Sequence, residues 1–294
     1  MLHATAPLFA APIDRGPVEF ALTCLAKVRF LSEDSLAALA GPRGFRRELT
    51  DDWVKSGIVH RGVVKTDVIT GREVSYLALT TRGARALEAA TGRHAEGVSA
   101  PALRRESQKR LHDLCAGEAM AAFMALQEQG AVDLLGVEVD CRKIGTSVVL
   151  SEPGRAPERV PLEPDGLVVV NTNGPSALLM EMDLGSVSVD RMARKYAGFL
   201  EWMRQHGPER DFAIRALRVL TLAPTEKRLA RLHDAALRMN HGQRSGFLVF
   251  GLIENVNVAY ASRIFDPVVR QLGAKPNERV PLLSQPSPSV GVAA

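Results

Sequence analysis

Apolar residues recur at helical spacing over residues 17–29, and Ser32, followed by Glu33 and Asp34, supplies an N-cap and an acidic first turn for a second helix. A third helix is predicted from about Arg43, because Phe45, Leu49 and Trp53 fall four apart on one face; Gly57 gives it a left-handed stop. Two strand-like segments then flank Thr70-Gly71, and residues 80–90 return to a helical period. Residues 91–102 lose periodicity and carry Gly, Ser and Pro, which marks a linker. Beyond it a long helix over residues 103–129 turns Leu111, Leu114, Cys115, Ala122 and Leu126 to one face, with Glu118 among them. His112 lies on the neighbouring stripe with Ala116, Ala119 and Phe123, where a lone histidine reads as a satisfied core residue.

Strands are predicted at residues 134–140 and 146–150, then one opened by Pro164-Asp165 and one carrying Glu181, all compatible with a single mixed sheet. Helices over 189–205 and 225–239 alternate with strands at 214–222 and 246–253. The first of these helices faces the core with Met192, Tyr196, Phe199, Leu200 and Met203, and Lys195 sits at the edge of that face. From Ala274 onward the Pro/Ser-rich composition reads as disordered. The chain thus divides into residues 14–92, residues 103–272 and a tail at 273–294.

With 294 residues, 46% of them hydrophobic, the chain has room for two domains, each with its own core. Its apolar runs are too short to span a bilayer, and the N-terminus lacks the basic start and long apolar run of a secretory signal. Cys24, Cys115 and Cys141 are widely spaced and form no C-x-x-C pair, so they read as reduced cysteines of a cytoplasmic protein. The net charge of +4 is unevenly spread: residues 1–110 hold 17 basic and 12 acidic residues, and the remainder is nearly neutral. That local excess suits a nucleic-acid contact, although surplus surface arginine is the commoner cause of such an imbalance.

The densest chemistry lies between Pro164 and Lys195. Alternation along a strand puts Glu181 and Asp183 on one face and Met180 and Met182 on the other, with Asp165 on the preceding strand. Carboxylates concentrated in an apolar run need a compensating cation, either a divalent metal or a Lys/Arg partner; solvated strand ends are the alternative.

Three helices followed by a two-stranded wing resemble the winged helix-turn-helix arrangement, with W-V-K-S-G-I-V and Y-L-A-L-T-T-R-G as the end of the recognition helix and the second wing strand. That resemblance implies DNA contacts from Arg43, Arg46 and Arg47 at the helix start and from Arg61, Lys65 and Arg72 on the wing. The same unit in a protein-binding role never touches DNA. The second unit, with Pro-Asp and then E-x-D on successive strands, resembles the PD-(D/E)XK nuclease superfamily. There, Asp165 and Glu181 would hold Mg²⁺ and Glu118 would match an acid from the first core helix. Asp183 occupies the usual lysine position, and Lys195 on the following helix is the candidate replacement.

The whole chain is similar to the replication-relaxation family, through L-T-T-R-G, R-L-H-D-L, P-D-G and M-E-M-D-L-G-S ahead of R-K-Y, with Leu184 where that family typically has Arg. The resemblance implies an α+β chain: a winged helix followed by an α/β nuclease-like domain with a central mixed sheet. It also implies a role in plasmid replication or mobilisation, with double-stranded DNA and other relaxation or replication proteins as partners. A homodimer stays open. Asp165, Glu181, Asp183 and Lys195 would be catalytic and Mg²⁺ the cofactor; the alternative is a non-catalytic DNA-binding accessory on a degenerate nuclease fold.

Overall fold

The computed structural model describes residues 16–65, 73–92, 107–139, 146–151, 156–171, 174–214 and 216–283. The N-terminal unit runs α1 (Pro17–Val28), β1 (Leu31–Ser32), α2 (Glu33–Ala40), α3 (Leu49–Lys55), β2 (Val59–Lys65), β3 (Glu73–Leu79) and α4 (Thr81–Thr91). Its strands pair antiparallel in the order β1-β3-β2. Ser32 caps α2 as its sequence predicts, its hydroxyl oxygen accepting from the Ser35 N–H at 3.1 Å. The L-T-T-R-G phrase has a local cause as well. Thr80 accepts from the Gly83 N–H at 3.1 Å and donates to the Gly57 carbonyl at 2.6 Å, while Gly83 lies so near the Ile58 carbonyl that a Cβ would not fit.

The third helix starts at Leu49, not near Arg43. Gly41–Arg43 forms a separate 3-10 turn with Pro42 near its start, and Gly44 ends it in the left-handed region at φ 89°. Arg43 therefore belongs to the turn before α3.

The second unit runs α5 (Ser107–Glu128), β4 (Asp133–Val139), β5 (Thr146–Leu150), β6 (Glu158–Leu162), β7 (Gly166–Asn171), β8 (Pro175–Met182), α6 (Val189–Arg204), α7 (Gly207–Phe212), β9 (Ala216–Ala223), α8 (Glu226–Met239), β10 (Ser245–Leu252) and β11 (Arg270–Leu272). Its central sheet is mixed, in the order β11-β10-β9-β8-β7-β4, with β8, β9 and β10 parallel and the outer pairings antiparallel. The fold is thus α+β around a mixed sheet. One strand departs from expectation: β5 leaves the main sheet and pairs with β6 as a separate hairpin, whose Val148, Val160 and Leu162 pack on Gly198 of α6.

Residues 274–283, read from composition as disordered, are placed in the fold. Val280 bridges Val269, and Leu282 and Leu283 are buried. The Val-Pro-Leu-Leu run supplies the apolar side chains that the surrounding Pro/Ser bias conceals. Residues 284–294 lie outside the described residues.

Two separate cores were expected, but the buried clusters follow the sheet faces. One cluster is continuous from Phe20, Leu25, Phe30 and Leu36 of the N-terminal unit, through Met120 and Phe123 of α5, to Val168 and Met180 on the sheet. The other lies under α6 and α8, around Tyr196, Phe199, Leu232 and Phe250. Two polar clamps reinforce the first: Glu118 of α5 accepts from the Ser32 N–H at 2.7 Å and from the Ser35 hydroxyl, and Arg43 pairs with Glu128 at the end of α5.

Candidate functional site

At the start of β7 and the end of β8, side chains from both faces of the sheet meet. Asp165 precedes β7; its backbone N–H donates to the Met180 carbonyl at 2.8 Å and its Oδ2 accepts from the Met182 N–H at 2.8 Å. From α5, His112 places Nε2 3.3 Å from the same Oδ2, with Asp113 Oδ1 3.4 Å from Nδ1. From α6, on the other face, Lys195 donates to Glu181 Oε2 at 2.6 Å and to the Glu163 carbonyl at 2.8 Å. Met180 and Met182 point toward α5 and leave Glu181 on the α6 side, as strand alternation predicts.

The electrostatics are tightly coupled. Burial opposes the charge on Asp165, yet His112, Lys195 and the Met182 N–H together hold its carboxyl below the usual carboxylate range. Burial also opposes the His112 imidazolium, and Asp113 and Asp165 outweigh it, raising its pKa to about 10. Glu181 is pushed up to about 7 by its burial, with Lys195 counteracting and Asp165 adding. Lys195 is held above the usual lysine range by Glu181 and Asp165 despite its own burial. Glu181 Oε1 is buried and has no hydrogen-bond partner among the described residues.

A cleft of about 210 Å³ opens onto Asp165 and His112, lined also by Arg29, Lys109, Asp113 and Glu163. Asp183 stays out of this group. Although it shares the α6 side of β8 with Glu181, it is buried against Arg228 of α8, which donates to its two oxygens at 2.7 and 3.1 Å, and it accepts from the Gly185 N–H at 2.5 Å. Glu118 stays out too, committed to the Ser32 N–H and the Ser35 hydroxyl at the start of α2. The expected gathering of Asp165, Glu181 and Asp183 with Glu118 is therefore replaced by Asp165, Glu181, Lys195 and His112. Among the described residues no group of three or more His, Cys, Asp or Glu is arranged to hold a metal ion.

The basic residues expected at a DNA surface separate into two kinds. Arg43 packs over the Phe20 ring at 4.5 Å and pairs with Glu128. Arg61 bridges Glu33 and Asp51, the latter at 2.7 Å, and Arg47 reaches Asp34 at 2.7 Å. Arg46 and Lys65 are exposed; Arg72 lies outside the described residues. The helical period set His112 among core residues, whereas the structure turns it to Asp165 and the cleft, and Arg228 was passed over. For His112 a signal was present in R-L-H-D-L, whereas the pairing of Arg228 with Asp183 spans 45 positions and leaves no local trace.

A Replication-relaxation family model matches residues 22–214. No curated protein matches. Among solved structures, the chain is similar to the crystal structure of protein VC1899 from Vibrio cholerae, at 12% identity and a TM-score of 0.30 over 87% of this chain and 56% of that one. The chain thus spans a little over half the length of that protein. No helix among the described residues is long and apolar enough to cross a membrane.

Proposed function

The chain belongs to the replication-relaxation family, and from that premise we propose that it is a DNA-binding protein of plasmid replication or mobilisation whose second unit carries a phosphodiester-cleaving centre at Asp165, Glu181 and Lys195. The observation that carries this reading is the closeness of Asp165, before β7, to Glu181, near the end of β8, with Lys195 on Glu181 and one buried Glu181 oxygen without a hydrogen-bond partner among the described residues. Their oxygen donors suit a hard cation such as Mg²⁺. When bound, that ion would acidify water and neutralise charge at the phosphate. The chain's own contribution is placement. The Met182 N–H orients Asp165, and the Glu163 carbonyl and Glu181 fix Lys195 as a positive charge for the developing phosphorane oxygens. His112 holds a proton at Nε2 beside Asp165. The order α1-β1-α2-α3-β2-β3 and the β1-β3-β2 sheet support the winged-helix reading of the first unit, with Arg46 and Lys65 among its exposed cations.

One observation favours the non-catalytic reading. Asp165, Glu181 and Asp183 each already face a protein cation, respectively His112, Lys195 and Arg228. A centre balanced in this way needs no metal. Nicking of supercoiled plasmid in Mg²⁺ or Mn²⁺, with melting curves run alongside, separates the two. A cleaving centre gives nicked product that Asp165→Asn and Glu181→Gln abolish, together with a Mg²⁺-dependent rise in the wild-type midpoint that Asp165→Asn removes. No nicking, no Mg²⁺ response and a marked loss of stability in both variants leave a DNA-binding scaffold.

A further inference from the structure

The cleft onto Asp165 is built by both units, and the N-terminal unit's contribution rests on an unusual backbone. Arg29, just after α1, has φ 68° and ψ −49°, and the Phe30 N–H donates to the Val28 carbonyl at 2.8 Å across it. This is a γ-turn of the positive-φ kind, which is rare and strained for a residue with a side chain. The turn is held from two sides. The Arg29 N–H donates to the Leu25 carbonyl at 2.9 Å, and the turn's carbonyls press on α5 at Gly117, where an added Cβ would lie 2.9 Å from the Val28 carbonyl oxygen and nearer still to that of Phe30. Strain of this kind persists only where the surroundings over-determine it, and such positions cluster at functional sites. Arg29 thereby lines the same cleft as Lys109, His112 and Asp165.

We propose that Arg29 is a phosphate-binding residue of this cleft, so that a nucleic-acid backbone entering toward Asp165 is gripped jointly by the N-terminal unit and by Lys109 of α5. The inference rests on the DNA-processing reading above and adds to it that the site is incomplete without the first unit. Its chemistry is that of a guanidinium and an ammonium facing a phosphodiester, the pairing for which arginine's planar fork is suited. The cleft, at about 210 Å³, is smaller than the roughly 300–1,000 Å³ of drug-sized ligand pockets. What enters is a stretch of backbone, and a duplex can present only one strand's edge.

The test uses the full chain and two variants. Arg29→Gly removes the cation and suits the positive φ, and Arg29→Lys restores a charge. Affinity is measured against salt for a short labelled duplex and for one of its strands, and melting curves are recorded for each protein. The expected result is that Arg29→Gly weakens binding about tenfold and lowers the salt slope by roughly one, with a melting midpoint equal to or above wild type and partial recovery in Arg29→Lys. Wild-type affinity and slope in Arg29→Gly, with DNA binding otherwise intact, overturn the inference and leave the functional reading standing. Weakening that comes only with a lowered midpoint also overturns it, because the residue is then structural. Absence of salt-dependent binding by the wild type to either DNA overturns the functional reading and the inference together.

Discussion

Three positions separate Arg43 from Arg46, and their surroundings are opposite in kind. Arg43 stacks on Phe20 and pairs with Glu128, whereas Arg46 is exposed. Removing the first leaves Glu128, itself largely buried, without its guanidinium. Arg43→Ala is therefore expected to lower stability by about 2 kcal/mol in denaturant titrations. Arg46→Ala is expected to leave the midpoint unchanged and to reduce the salt slope of DNA binding by about one. A stable Arg43→Ala protein with a reduced slope would reverse these assignments. Spacing alone could not have told the two arginines apart, because the partner of Arg43 lies 85 positions away. The same limit explains the site. Strand alternation made Glu181 and Asp183 neighbours on one face, but which cation answers each is decided by α6 and α8, and only tertiary packing brings those helices to the strand end.

Among the elements, α5 is the one on which the others are hung. Its Glu118 holds the residue that caps α2, its Glu128 takes Arg43, its His112 reaches Asp165, and its Gly117 admits the turn at Arg29. Gly117→Ala places a methyl group against two backbone carbonyls that cannot rotate away. A loss of about 1–3 kcal/mol is expected, and cleft function should fall with it, read by melting and by DNA binding. An unperturbed midpoint would mean that the turn is free to yield. Helices such as α6 and α8 were legible because their apolar stripes are regular and Ser188 and Thr225 cap them. By contrast β6 carries Pro161 and follows a Pro-rich stretch, so its composition reads as loop; only its partner β5 makes it a strand. The inward Glu118 was visible from periodicity, but its bond to Ser32, the cap residue of α2 86 positions earlier, was not.

At the scale of the molecule, the buried cluster shared by the two units governs behaviour. A fragment of residues 1–95 exposes Phe30, Leu31 and Leu36, which the whole chain buries beside α5. Such a fragment is expected to unfold with weak cooperativity or to aggregate, while the whole chain melts in a single transition; circular dichroism and calorimetry on both decide it. An independently stable, cooperatively melting fragment would show that the shared cluster is dispensable to the first unit.

That shared core also turns the protein into a calliper. The jaws of a calliper keep their gap because they are cut from one piece, and here the piece is α5 with what packs on it. If the first unit reads a DNA sequence and the second cuts, every break falls at one constant offset from the sequence read. Lengthening residues 93–106 does not move it.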